Sequence, residues 1–216
     1  MVILMKKITN EYFKTFCDVI KSSLVDQNNF NACLSDMINA SEDEVDHENV
    51  YSDENYNMEV IKLDEYTKDF NRMRRLEIPE LKEDHQPKAV DAVCVNKENN
   101  WFLIEFKHQS LKSALKSSPA KMHSSLWLIA FLYSKLSKKI ADEADVLKFA
   151  RENVTFITVV SSEKNGDLDE TIGATWEEGG AFYTPKKFMK YKGYYFKYIY
   201  ILTEVGLRFF INSFDK

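Results

Sequence analysis

The stretch around which the chain is organised runs from residue 88 to 109, KAVDAVCVNKENNWFLIEFKHQ. Two apolar runs, 89–95 and 101–106, flank the polar stretch Asn96-Lys97-Glu98-Asn99-Asn100. Both runs are rich in β-branched and aromatic residues and are bounded by turn formers, which predicts a β-hairpin. Strand side chains alternate faces, so Asp91 shares a face with Ala89, Val93 and Val95. On the second strand, Glu105 and Lys107 share a face with Trp101 and Leu103, while Phe102, Ile104 and Phe106 fill the other. A loop that closes symmetrically pairs Asn96 with Asn100 and, counting outward, Asp91 with Glu105.

The rest of the chain reads as helices and strands around this hairpin. Residues 11–25 place Tyr12, Phe16, Val19 or Ile20, and Leu24 at helical spacing behind a Thr9-Asn10 cap. A second, short helix is predicted over 30–38, and the acidic stretch 41–57 lacks periodicity and reads as a solvated loop. Residues 59–63 predict a strand and 64–75 a helix with Tyr66, Phe70 and Met73 on one side. Two prolines mark 76–87 as a connector.

After the hairpin, Ser118-Pro119 predicts a capped helix start, and the helix runs to about Ile140 with Met122, Leu126, Ile129, Tyr133 and Leu136 in its stripe. Residues 142–151 predict a further helix, and 154–160 (VTFITVV) an interior strand. Residues 163–180 read as a loop, 193–203 as a strand, and 204–214 as an apolar helix or strand. The pattern is that of one α/β domain over 1–216: a mixed central sheet flanked by helices, with a core at about 59–160. An N-terminal helical part (9–40) and a C-terminal extension (181–216) complete it.

Composition agrees. Apolar content of 44% and charged content of 29% are those of an ordinary globular chain. The three cysteines, Cys17, Cys33 and Cys94, lack metal-binding spacing and fit a reduced, cytoplasmic setting. The opening apolar run precedes its lysines, the reverse of a signal peptide, and no apolar run approaches the ~20 residues of a membrane helix. Six glycines include no dinucleotide or phosphate-loop fingerprint, so no small organic cofactor is expected. The net charge is −5, unevenly spread: residues 1–100 carry 12 Lys/Arg against 21 Asp/Glu, and residues 101–216 carry 17 against 13. The second half therefore has the sign a nucleic-acid face requires.

The chemistry concentrates at the hairpin. Two carboxylates directly opposed on apolar strands repel unless a positive group lies between them. Lys107, one step along the same face, is one such group, and a divalent metal is the other. His108 falls on the opposite face, and His123 has no second His or Cys at ligand spacing.

An Asp on one strand, Glu105-Phe106-Lys107 on the next, and the order strand, strand, strand, helix, strand resemble the PD-(D/E)XK nuclease-like superfamily. The resemblance implies a restriction-endonuclease-like core and Mg²⁺ or Mn²⁺ held by Asp91, Glu105 and the backbone carbonyl of Phe106. It implies Lys107 as the residue that orients or deprotonates water, and hydrolysis of DNA or RNA phosphodiester bonds. Families of this kind often take a further acid from the first helix, for which Glu11 stands nearest. Gln109 continues the face of Glu105, and Lys121, Ser124 and Ser125 fall in the first turns of the helix expected from Pro119, where phosphate is attracted. The sequence departs from the family in having Val90, not proline, before Asp91. The alternatives are an ionic cluster at the end of a sheet, or a noncatalytic immunity, inhibitor or nucleic-acid-binding protein on the same fold.

Overall fold

A computed structural model describes residues 6–43, 47–78, 80, 88–137, 143–168, 170 and 183–214. The side chains of Phe70 and Met73, Ile140, and most of the 76–87 connector and the 163–180 loop lie outside the described residues.

Helix α1 (Glu11–Ser23) starts where Asn10 accepts the amide of Phe13, and it buries Phe13, Phe16 and Ile20. The helix expected over 30–38 is not one helix. The chain forms two single-turn helices, α2 (Phe30–Cys33) and α3 (Met37–Ala40), around strand β1 (Leu34–Asp36). Pairing of Leu34, Ser35 and Asp36 with the next strand competes with helix here, and the Asp36 carboxylate restarts it by accepting the amide of Asn39. The stretch 41–57 is not wholly solvated: Val50 and Tyr51 are buried, and the Ser41 hydroxyl donates to the Tyr51 carbonyl.

Strand β2 (Glu59–Lys62) leads directly into α4 (Leu63–Glu77). The hairpin follows as β3 (Ala92–Val95) and β4 (Trp101–Lys107). Its register is the one a symmetric loop dictates, with Val95 opposite Trp101 and Ala92 opposite Ile104. The loop closes because the Asn96 carboxamide accepts the amides of Glu98 and Asn100, while Asn99 adopts a φ of 59°.

Helix α5 runs from Leu111 to Ser137 and contains Pro119, so it does not start at Ser118-Pro119 as the local signal suggests. Leu111, Ala114, Leu115 and Ser118 extend its inward stripe by two turns, and this packing outweighs the proline's lost amide bond. The cap comes from a distance, with the Asn165 side chain accepting the amide of Leu111 at 2.6 Å. Helix α6 (Glu143–Asn153), strand β5 (Val154–Val160), strand β6 (Tyr198–Leu202) and helix α7 (Glu204–Ser213) complete the described elements. The strand expected over 193–203 is shorter because Gly193, at φ 74°, turns the chain before it.

The six strands form one mixed sheet in sequence order, antiparallel from β1 to β4 and parallel from β4 to β6. Alternation along β4 assigns the layers. Trp101 packs edge-on against Phe16 of α1 and Phe149 of α6, whereas Phe102 meets Phe210 and Phe214 at the opposite face. Helix α5 covers the Trp101 face, with Leu128, Ile129 and Leu132 near Val93 and Leu103. Covered on both faces, β5 is buried throughout. Among the described residues, no helix is long and apolar enough to cross a membrane.

Candidate functional site

The ladder of β3 ends at Ala92, and the residue before it, Asp91, extends the pairing that places it across from Glu105. Instead of continuing the ladder, the Asp91 carboxylate accepts the amide of Phe106 at 2.6 Å. This side-chain bond replaces a strand bond and fixes the carboxyl at the mouth of the β3–β4 gap. The Phe106 carbonyl projects from the same edge of β4 as its amide, toward β3.

Glu105 is completely buried, on the face covered by α5. Its neighbour across β5 is Thr158, also fully buried, whose hydroxyl lies 3.3 Å from that of Ser118 on α5. One helical turn beyond Ser118, Lys121 reaches into the same space. Its ammonium lies 3.0 Å from Oε2 of Glu105 and 3.4 Å from Oδ1 of Asp91, and it donates to the carbonyl of Ala89. Lys107 takes the other oxygen of Glu105 at 2.5 Å. The positive group between the two carboxylates is thus Lys121 from the helix, with Lys107 on the outer side of Glu105.

Two acids and two lysines make a nearly neutral cluster, and its electrostatics are uneven. Burial, then the charge of Glu105, pushes the Asp91 carboxyl up to about 7, against the opposing pull of Lys121, the Phe106 amide and Lys107. Burial depresses Lys121, but the two carboxylates outweigh it and leave the ammonium above its ordinary value. Each oxygen of Glu105 is met by one ammonium group, Lys107 at one and Lys121 at the other. A buried carboxylate of this kind requires cations around it, whether ammonium groups or a metal ion.

That requirement bears on whether the residues suit a metal. Asp91, Glu105 and the Phe106 carbonyl are hard oxygen donors of the kind Mg²⁺ and Mn²⁺ favour, and the two carboxylates converge on the place Lys121 fills. Among the described residues, no group of three or more His, Cys, Asp or Glu converges, so such an ion would depend on water and substrate oxygens for the rest of its shell. The donor set fits on that condition.

The remaining candidate residues fall elsewhere. The Asn10 side chain donates to the Val95 carbonyl, placing the start of α1 four residues along β3 from Asp91, about 13 Å away. Glu11 is exposed there and paired with Lys14, so it does not join the cluster. Gln109 is exposed just past β4. Ser125 is buried and turns its hydroxyl onto the carbonyl of Lys121, away from any substrate. Neither Lys121 nor Ser125 lies in the first turns of its helix, because α5 begins at Leu111. His108 lies between Glu48 and Glu163, and His123 stacks edge-on with Tyr191.

Sequence reasoning missed the inward role of Lys121 and the polar floor made by Ser118 and Thr158. The signal was present: Ala114, Ser118, Lys121 and Ser125 share one helical stripe, and a lysine in a sheet-facing stripe needs a buried acid. Comparisons with protein-family models, curated proteins and solved structures find no significant match to this chain.

Proposed function

We propose that the Asp91–Glu105–Lys107 cluster is the centre of a divalent-metal-dependent phosphodiesterase acting on DNA or RNA, on a restriction-endonuclease-like core of the PD-(D/E)XK kind. One observation carries the reading: two acids from adjacent strands meet at a strand end around a cation, with a lysine two residues beyond the second acid. The order of β2, β3, β4, α5 and β5 supports it, with α4 inserted between the first two strands and α6 before the last.

In this reading Asp91, Glu105 and the Phe106 carbonyl hold Mg²⁺ or Mn²⁺. The ion, when bound, lowers the pKa of a water and offsets charge on the phosphate. Lys107, partly exposed at the mouth, orients the attacking water. Lys121 leaves the carboxylates and turns to a phosphate oxygen, a point-charge contact suited to lysine. Water adds to phosphorus, the bond to the leaving oxygen breaks, and that oxygen gains a proton.

The test combines cleavage with calorimetry. The wild type is expected to cut at least one of single-stranded, double-stranded or branched substrates with Mg²⁺ or Mn²⁺, and to give heat with Mn²⁺ that Asp91→Ala/Glu105→Ala abolishes. Intact substrates and no heat from the wild type would refute the reading. A second reading, a noncatalytic interaction protein on the same fold, is favoured by Lys121 itself, which already neutralises the acids. Absence of metal heat would support it.

A further inference from the structure

We propose that the β6 edge of the sheet, with the segment leading into it, is a binding surface for single-stranded nucleic acid. The inference is independent of the cleavage reading, because it uses none of the cluster residues and would hold for a noncatalytic protein.

Residues 183–203 contain five lysines and no aspartate or glutamate, in a chain whose net charge is −5. Among the described residues, none of those lysines is paired with a carboxylate, whereas Lys14, Lys68, Lys107 and Lys121 each are. The chain is therefore locally polycationic against its overall sign. A surface of this kind attracts a polyanion.

The aromatic side chains select which polyanion. Strand β6 is the last of the sheet, and the segment leading into it covers part of its outer edge: the Ile201 amide donates to the Tyr183 carbonyl and the Thr184 hydroxyl donates to the Ile199 carbonyl. Tyr198 and Tyr200 project from one face of it and stack on each other at 5.6 Å and 13°. Tyr198 is 39% exposed, and Tyr194, on the turn at Gly193, is 71% exposed.

Cations sit beside these rings. The ammonium of Lys192 lies 5.6 Å and that of Lys197 5.9 Å from the Tyr198 centroid, and Lys197 is steadied by donating to the Asn100 carboxamide. Lys190 lies 4.9 Å from Tyr191, a buried ring, and so adds charge without stacking area. Tyrosine faces offer stacking area to any base, and flanking ammonium groups offer contacts to the backbone between bases. Paired bases in a duplex present no free face to such rings. Single strands fit both features.

The experiment is fluorescence anisotropy in a chelating buffer, so that no cleavage intervenes. The probes are labelled dT and rU oligomers of about 12 nucleotides, a duplex of equal length, and vesicles of mixed phosphatidylcholine and phosphatidylserine. The wild type is expected to bind a single strand at least fivefold more tightly than the duplex. Tyr198→Ala should weaken binding about tenfold. Lys190→Gln and Lys192→Gln should each flatten the slope of log affinity against log salt by about 0.7. Should Tyr198→Ala melt below the wild type, Tyr194→Ala on the exposed turn replaces it. Equal affinity for duplex, capture by vesicles without oligomer binding, unchanged affinity in the tyrosine variants, or no binding at all would each overturn the proposal and leave the lysines as edge protection against strand pairing.

Discussion

Lys121 is ion-paired to Glu105 at 3.0 Å, across the gap between a helix and the sheet it covers. The pair is out of bulk water, since the glutamate side chain is fully buried and the lysine side chain is only 17% exposed. An ion pair in that setting depends on each partner, and it shares the lysine with Asp91.

Removing the ammonium should therefore be costly and should expose the cluster's affinity for other cations. Lys121→Met is expected to lose about 3–5 kcal/mol of stability, because Glu105 keeps only Lys107. Excess Mg²⁺ or Mn²⁺ should restore more melting temperature to the variant than it adds to the wild type. Equal shifts in the two proteins would show that the vacated position does not accept a metal.

Asp91 gives a pH dependence whose sign follows from its environment. Its carboxyl is raised from 3.8 to about 7, so between those values the folded chain holds a proton that the unfolded chain has lost. The contribution of the group is full below pH 3.8 and is lost as pH rises through 7. Asp91→Asn, which cannot ionise, should gain on the wild type as denaturation is moved from pH 5 to pH 8 in chelating buffer. Parallel stability profiles would contradict the raised value.

The first two turns of α5 rest on a remote cap. Asn165 accepts the Leu111 amide and donates to the carbonyls of Gln109 and Ser161. Asn165→Ala should cost about 1–2 kcal/mol, with faster amide exchange in the first turn of α5. Unchanged exchange there would mean that the cap is dispensable.

Pro119 interrupts the same helix, and replacing it tests where the helix begins. Pro119→Ala restores an amide donor toward the Leu115 carbonyl and should stabilise the protein by about 1–3 kcal/mol. A helix that instead started at Pro119 would lose stability on this change, since proline is favoured at a first helical position.

Much of this arrangement is written locally in the chain. The pairing of Asp91 with Glu105 follows from the five-residue loop, because period-two alternation and the Asn96 turn leave one register. The run VTFITVV is β5 residue for residue, since a continuous β-branched stretch buried on both faces has few other solutions. Helix α1 with its Asn10 cap is equally local.

What the sequence could not decide depends on contacts between distant residues. Pro119 reads as a helix start until Asn165, 54 residues beyond Leu111, supplies the true cap. Residues 30–38 read as helix until β2 offers Leu34–Asp36 a ladder. The cation between the acids could have been Lys107 or a metal; the docking of α5 on the sheet brought Lys121 there instead. Short-range periodicity determined which residues face inward on each strand and helix. Only the packing of helix on sheet decided which of them meet, because burial forces opposite charges together regardless of their separation along the chain.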